Sequence, residues 1–105
     1  MNRLLTIPAL ALLTACAQSP DAIVPISMGN AFAAMSCAAA RNELAIETAA
    51  LASLSTAQQS AVTGDVLGVF LIGVPVSSLT GGDKAGLIAA SKGKIIALQS
   101  RLVGC

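Results

Sequence analysis

Residues 36–63 read SCAAARNELAIETAALASLSTAQQSAVT, without a glycine or a proline. This alanine-rich composition strongly favours an α-helix, and the hydroxyl of Ser36 is suited to cap its first turn. Apolar residues recur three or seven residues apart, on one face of the helix: Leu44, Leu51, Leu54 and Ala61. Within the run, residues 55–59 (STAQQ) resemble a capping box, which predicts a kink or a restart of the helix there.

A second helix is predicted after the turn Thr80-Gly81-Gly82-Asp83, with Asp83 as its N-cap. Its core positions alternate at three and four residues, the spacing of a two-stranded helical seam: Ile88, Ser91, Ile95, Leu98 and Leu102. Gly86 and Gly93 each weaken such a helix by about 1 kcal/mol relative to Ala. This helix therefore needs a partner, and the first helix offers an apolar stripe.

Two cysteines suggest how the helices pair, because Cys37 starts the first helix and Cys105 ends the chain. If the helices are antiparallel with these residues opposite each other, four more pairs fall level: Leu44 with Leu98, Glu47 with Ile95, Leu51 with Ser91, and Leu54 with Ile88. A disulfide between Cys37 and Cys105 would stabilise the fold by about 4 kcal/mol on the chain-entropy model. The alternatives are two thiols, or a bridge from Cys105 to another chain.

The N-terminal segment has the order of a secretory signal. Arg3 supplies a positive charge, and Leu4 to Leu13 form an apolar run that only Thr6 and Pro8 interrupt. This run is too short to cross a bilayer, which takes about 20 residues, but it suits the core of a signal peptide. The tetrapeptide that follows is Leu13-Thr14-Ala15-Cys16.

This tetrapeptide resembles the lipobox of bacterial lipoproteins. The resemblance implies that residues 1–15 are removed as a signal peptide, that Leu13, Thr14 and Ala15 are read for cleavage, and that the Cys16 sulfur receives a diacylglycerol. The freed amine of Cys16 usually receives an acyl chain as well. Ala17, rather than Asp, after the cysteine resembles the pattern directed to the outer membrane. The alternatives are an ordinary secretory signal or an uncleaved N-terminal anchor.

The segment after the cysteine is rich in residues that break helices. Pro20, Pro25 and Gly29 lie within it, and proline also favours extended backbone in the residue before it. We therefore expect residues 16–30 to be a lipidated cysteine followed by a flexible tether. The alternative is a short strand contact at residues 22–24. The whole sequence predicts an all-α fold, in which residues 31–105 form an antiparallel helical hairpin with an apolar connecting segment.

No charged residue lies between Asp65 and Asp83, and the centre of this stretch is strongly apolar. Three interpretations compete: a buried connection packed against the hairpin or another subunit, a tip that inserts into a membrane, and a true transmembrane span. An exposed apolar patch of this length needs a protein partner or lipid. The residues expected to make that contact are Val66, Leu67, Val69, Phe70, Leu71, Ile72, Val74 and Val76.

Composition argues against several classes of function. The six basic residues fall to five without Arg3, against five acidic residues, so no basic excess favours a nucleic-acid partner. The chain has no His, which removes Cys–His catalysis, and two cysteines fall short of a zinc site. Glu43 and Glu47 are an i,i+4 pair typical of a solvated helix face. We expect no enzymatic activity, metal, small-molecule substrate or cofactor beyond the covalent lipid.

Residues 36–105 also loosely resemble small, uncharacterised helical lipoproteins of Gram-negative bacteria, a resemblance that implies no established activity. It rests on short motifs: Ser36-Cys37, Gly68 to Pro75, Gly81-Gly82, Lys92-Gly93 and Cys105. We expect a lipid-anchored cell-envelope protein with a structural or interaction role, whose partner is another envelope protein or a second copy. We expect it to face the periplasm, from the outer membrane rather than the inner. The alternative is a membrane-active lipoprotein, of the lysis, exclusion or remodelling kind, that inserts its apolar middle segment into a bilayer.

Overall fold

A computed structural model of the protein describes residues 16–72 and 82–105. These residues form two long helices, α1 over Cys37–Ile72 and α2 over Ala85–Leu102, and a single 3-10 turn over Pro20–Ala22. Neither described range contains a strand, so the alternative of a strand at residues 22–24 is not seen. The all-α prediction is confirmed. The predicted signal peptide, residues 1–15, lies outside the described residues.

Helix α1 begins where the sequence predicts and extends further than predicted. The hydroxyl of Ser36 accepts a hydrogen bond from the amide of Ala39 at 3.1 Å, which is the expected N-cap. The predicted restart at residues 55–59 is wrong, because α1 is continuous through them to Ile72. The reason is that the side chain of Gln58, which a capping box needs locally, is hydrogen-bonded to other segments instead.

Helix α2 begins at Ala85, so its N-cap is Lys84 and the predicted N-cap, Asp83, is wrong by one residue. The carboxylate of Asp83 still acts at this end, since it accepts a hydrogen bond from the Ala85 amide at 3.0 Å. The predicted seam is confirmed: three of its positions are buried and the other two are partly buried. The buried three are Ile88, Ser91 and Leu98.

The two helices pack as the predicted antiparallel hairpin. Cys37 and Cys105 form a disulfide, with Cα atoms 6.0 Å apart and a sequence separation of 68 residues. Further along, the Lys94 ammonium lies 4.0 Å from the carboxylate of Glu47, near the level predicted for that residue. Gln58 follows Cys37 by as many residues as Lys84 precedes Cys105, and the Lys84 amide donates to Gln58 Oε1 at 2.6 Å. The predicted register therefore holds from one end of α2 to the other.

The tether predicted after Cys16 does not stand off from the hairpin, so this prediction is wrong. Residues 17–36, called the strap here, lie along the helices instead. The Lys92 ammonium donates to the carbonyls of Pro20 and Ile23, at 2.5 and 2.9 Å. The Ile26 amide donates to the carbonyl of Ala89 at 3.0 Å, and Ile23 is buried. Burial of this apolar side chain and hydrogen bonds from the helices outweigh the effect of proline and glycine, which only prevent a long helix.

A row of small residues on α2 makes room for the strap. Ala89, Gly93 and Ala97 are spaced by four residues and so lie on one face of the helix. A Cβ atom at Gly93 would overlap the carbonyl oxygen of Ile26, so a side chain there would force the strap backbone to shift. The sequence predicts only that Gly93 weakens α2, but in the fold it permits the close approach of the strap backbone.

Candidate anchor site and apolar end

The anchor site, defined as Cys16, Ala17 and Asp65, lies where the strap meets α1. The amide of Ala17 donates a hydrogen bond of 2.6 Å to Asp65 Oδ2. The Asp65 side chain is only 2% exposed, so this bond forms away from solvent, where a charge-assisted hydrogen bond is strong. The predicted lipidation residue is therefore held at a fixed place on the helix. Its sulfur takes no part in the disulfide.

A fully buried glutamine holds the same end of the molecule together. Gln58 Nε2 donates to the carbonyl of Gln18 at 2.8 Å and to Asp83 Oδ1 at 3.0 Å. Its Oε1 accepts from the amide of Lys84. One side chain thus joins the strap, α1 and the start of α2. Sequence reasoning missed this role, although Gln58 follows Leu54 by four residues and so continues the buried face of α1.

The apolar end, defined as Val66, Leu67 and Leu71, follows Asp65 directly on α1. These side chains are 65%, 56% and 72% exposed. They are therefore not buried against the hairpin. For these three residues, the interpretation as a connection packed against the hairpin is wrong. Val69, Phe70 and Ile72 belong to the same helix by their backbone, and Val74 and Val76 lie outside the described residues. In the described ranges, no helix is both long and apolar enough to cross a membrane.

Two open cavities lie between α2 and the later part of the strap. Their volumes are about 220 and 320 Å³, and Gly29, Ala97 and Ser100 line both. The side chain of Arg101 borders the smaller cavity, and its Nε donates to the carbonyl of Met35 at 2.7 Å. This bond fixes the end of the strap beside the disulfide. Within residues 16–72 and 82–105, no group of three or more His, Cys, Asp or Glu side chains could hold a metal ion.

Fold and site together define a disulfide-tied helical hairpin with a strap along it and Cys16 at the end opposite the disulfide. The predicted recognition residues Leu13, Thr14 and Ala15 lie outside the described residues. No protein-family model, curated protein or solved structure matches this chain.

Proposed function

We propose that this protein is a lipid-anchored component of the bacterial cell envelope with a structural or protein-interaction role. The observation that carries the proposal is the pairing of Cys37 with Cys105, which leaves Cys16 outside the disulfide. Disulfides persist in oxidising compartments such as the periplasm, which fits a secreted chain. Cys16 in turn ends the lipobox-like tetrapeptide after a signal-like segment.

The lipid would determine where the protein resides. One acyl chain gives only marginal membrane binding, whereas two or three chains give a stable anchor. Cleavage before Cys16 would leave the amide of Ala17 intact, so its hydrogen bond to Asp65 is available to the mature protein. The anchor would then be attached directly to the folded body. Ala17 after the cysteine supports the outer membrane as the destination.

The hairpin would supply the structural or interaction role. Its 36-residue helix α1 is about 54 Å long at 1.5 Å per residue, and the disulfide fixes one end of the helix pair. The exposed apolar end gives the protein a contact surface. Such a surface suits an apolar protein partner, a second copy of the chain or lipid.

Metabolic labelling with an alkyne fatty acid tests this proposal in bacteria that express the full chain. We expect the wild type to take up the label and to fractionate with membranes, and Cys16→Ser to lose both properties. Ala17→Ser is the matched control, because it changes the adjacent side chain but keeps the cysteine and the amide that contacts Asp65. Label retained by Cys16→Ser, or an unlabelled wild type free in the periplasm, would contradict the proposal and favour an ordinary secretory signal.

A further inference from the structure

The anchor site and the apolar end are adjacent in the fold. The hydrogen bond from Ala17 to Asp65 brings the Cα atoms of Cys16 and Asp65 within about 10 Å of each other, given standard bond lengths. Val66 and Leu67 follow Asp65 in the chain. Leu71 lies about 9 Å from Asp65 along the helix axis. Acyl chains on Cys16 would therefore leave the protein within about 9 Å, along the axis of α1, of these exposed apolar residues.

The helix surface at this end carries little that resists contact with lipid. No charged residue lies between Glu47 and Asp65, and Asp65 itself is buried and hydrogen-bonded to the strap. Four hydroxyl groups on this stretch donate hydrogen bonds to carbonyls of the same helix, two of them close to Asp65. Ser60 Oγ donates to the carbonyl of Thr56 at 3.2 Å, and Thr63 Oγ1 donates to the carbonyl of Gln59 at 3.1 Å. Such internal hydrogen bonds lower the cost of moving hydroxyl groups away from water.

The basic residues that contact the strap lie elsewhere on the hairpin. Lys92 donates to strap carbonyls in the middle of α2, and Arg101 does so beside the disulfide. Glu47 pairs with Lys94 in the half of α1 that precedes the uncharged stretch. Asp83 and Lys84 contact Gln58, about 10 Å before Asp65 along α1, so the uncharged apolar surface is the described part of α1 beyond Asp65.

We infer that the apolar end enters the lipid leaflet that holds the acyl chains of Cys16. This inference rests on the proposed lipidation and deepens it, because it names the partner of the apolar surface as that leaflet. One leaflet supplies about 15 Å of hydrocarbon, half the thickness of the bilayer core, which accommodates side chains this close to the anchor. Val66, Leu67 and Leu71 are then covered by the lipid that also holds the anchor. The disulfide end points away from that membrane.

Single-tryptophan fluorescence tests the inference. The chain contains no Trp and no Tyr, so the introduced Trp is the source of the emission. The full-length gene is expressed with Leu67→Trp or Leu71→Trp, and the processed protein is extracted from membranes and reconstituted into phosphatidylglycerol–phosphatidylethanolamine vesicles. Half of the samples contain phospholipids brominated on the acyl chains, which quench only nearby Trp. Ile46→Trp is the matched control, because Ile46 is 53% exposed on the same helix, next to Glu47. Acylation of each sample is checked by intact mass.

We expect blue-shifted emission and at least twofold quenching by brominated lipid for Leu67→Trp and Leu71→Trp, with less than 20% quenching for Ile46→Trp. Acylated, vesicle-bound protein in which Leu67→Trp and Leu71→Trp are quenched no more than the control would overturn the inference while leaving the anchor intact. A blue shift without quenching would also overturn it, since the apolar end would then be covered by protein. Protein without acyl chains would overturn both the proposed function and the inference.

Discussion

Replacing two glycines of α2 by alanine should have opposite effects on stability. In an unobstructed helix, Gly→Ala stabilises by up to about 1 kcal/mol. At Gly86 no atom lies within 4 Å of the position that a Cβ would occupy, so we expect Gly86→Ala to stabilise the protein by about 0.5–1 kcal/mol. At Gly93 the new Cβ would overlap the carbonyl oxygen of Ile26 and lie 2.9 Å from the carbonyl carbon. Both atoms are backbone, so the strap itself must move.

The cost at Gly93 follows from what holds the strap. Overpacking typically costs about 1–3 kcal/mol even when the neighbours adjust. If the strap detaches instead, the burial of Ile23 is lost, which contributes about 1.5–3 kcal/mol, and so is the hydrogen bond from Ile26 to Ala89. After the gain in helix propensity is subtracted, we expect Gly93→Ala to destabilise the protein by about 1–3 kcal/mol.

Urea unfolding followed by far-UV circular dichroism measures both variants against the wild type. The mature protein is kept in a mild detergent at constant concentration. The slopes of the urea transitions are compared between variants, because a shifted midpoint with an unchanged slope reports a change in the free energy of unfolding. The expected separation between the two variants is about 1.5–4 kcal/mol. If Gly93→Ala stabilised the protein as much as Gly86→Ala does, the strap would not lie against α2, and the contact between residues 23–28 and this helix would be refuted.

Three further predictions concern the interior and the disulfide, and urea unfolding measures each of them. Gln58→Ala should cost about 2–4 kcal/mol, because three hydrogen bonds and a fully buried side chain are lost, whereas Gln59→Ala on the exposed face should change stability by less than about 0.5 kcal/mol. Equal losses in the two glutamine variants would contradict the assigned role of the buried one. Ser91→Ala should stabilise by about 1 kcal/mol, because the buried hydroxyl of Ser91 has no hydrogen-bond partner among the described residues, and a loss of stability would argue against this environment. Reducing the bond between Cys37 and Cys105 should cost about 4 kcal/mol, and a transition unmoved by reductant would count against an intramolecular bridge.

The hairpin could be predicted because its determinants are periodic. Apolar residues at three- and four-residue spacing report which face of a helix is buried, and Ile88 and Leu98 are fully buried at such positions. The cysteine pair then determines the register, since antiparallel helices with one known contact have few alternatives. The disulfide and the Glu47–Lys94 contact agree with that register.

The strap could not be predicted because its contacts have no periodic signature. They join backbone groups of the strap to single side chains far away in the chain, such as Lys92 and Arg101, and to a helix backbone exposed at Gly93. From the sequence alone, Lys92 and Arg101 fit the preference for cations in the later part of a helix, and Gly93 is a residue that weakens the helix. Nothing in these local patterns points to the strap. The role of Gln58 escapes prediction for the same reason, since its local pattern fits a capping box while its partners lie in other segments.

The strap changes what anchoring at Cys16 would mean. A flexible tether would let the body move freely above the membrane and would separate the anchor from the apolar end. Because Ala17 is hydrogen-bonded to Asp65, and Gln18 to Gln58, the lipid would instead be attached at the folded body. With the proposed lipid anchor, the orientation of the hairpin on a membrane would depend on these two contacts.

The most direct test of the central claim, that the mature protein begins with an acylated Cys16, is intact-mass and fragment-ion analysis of the protein extracted from membranes. We predict an N-terminal fragment that begins at Cys16 and carries a diacylglycerol on sulfur, with a further acyl chain on the amine, together with a fragment that links Cys37 and Cys105. A chain that begins at any other residue, or an unmodified Cys16 at its start, would contradict the account.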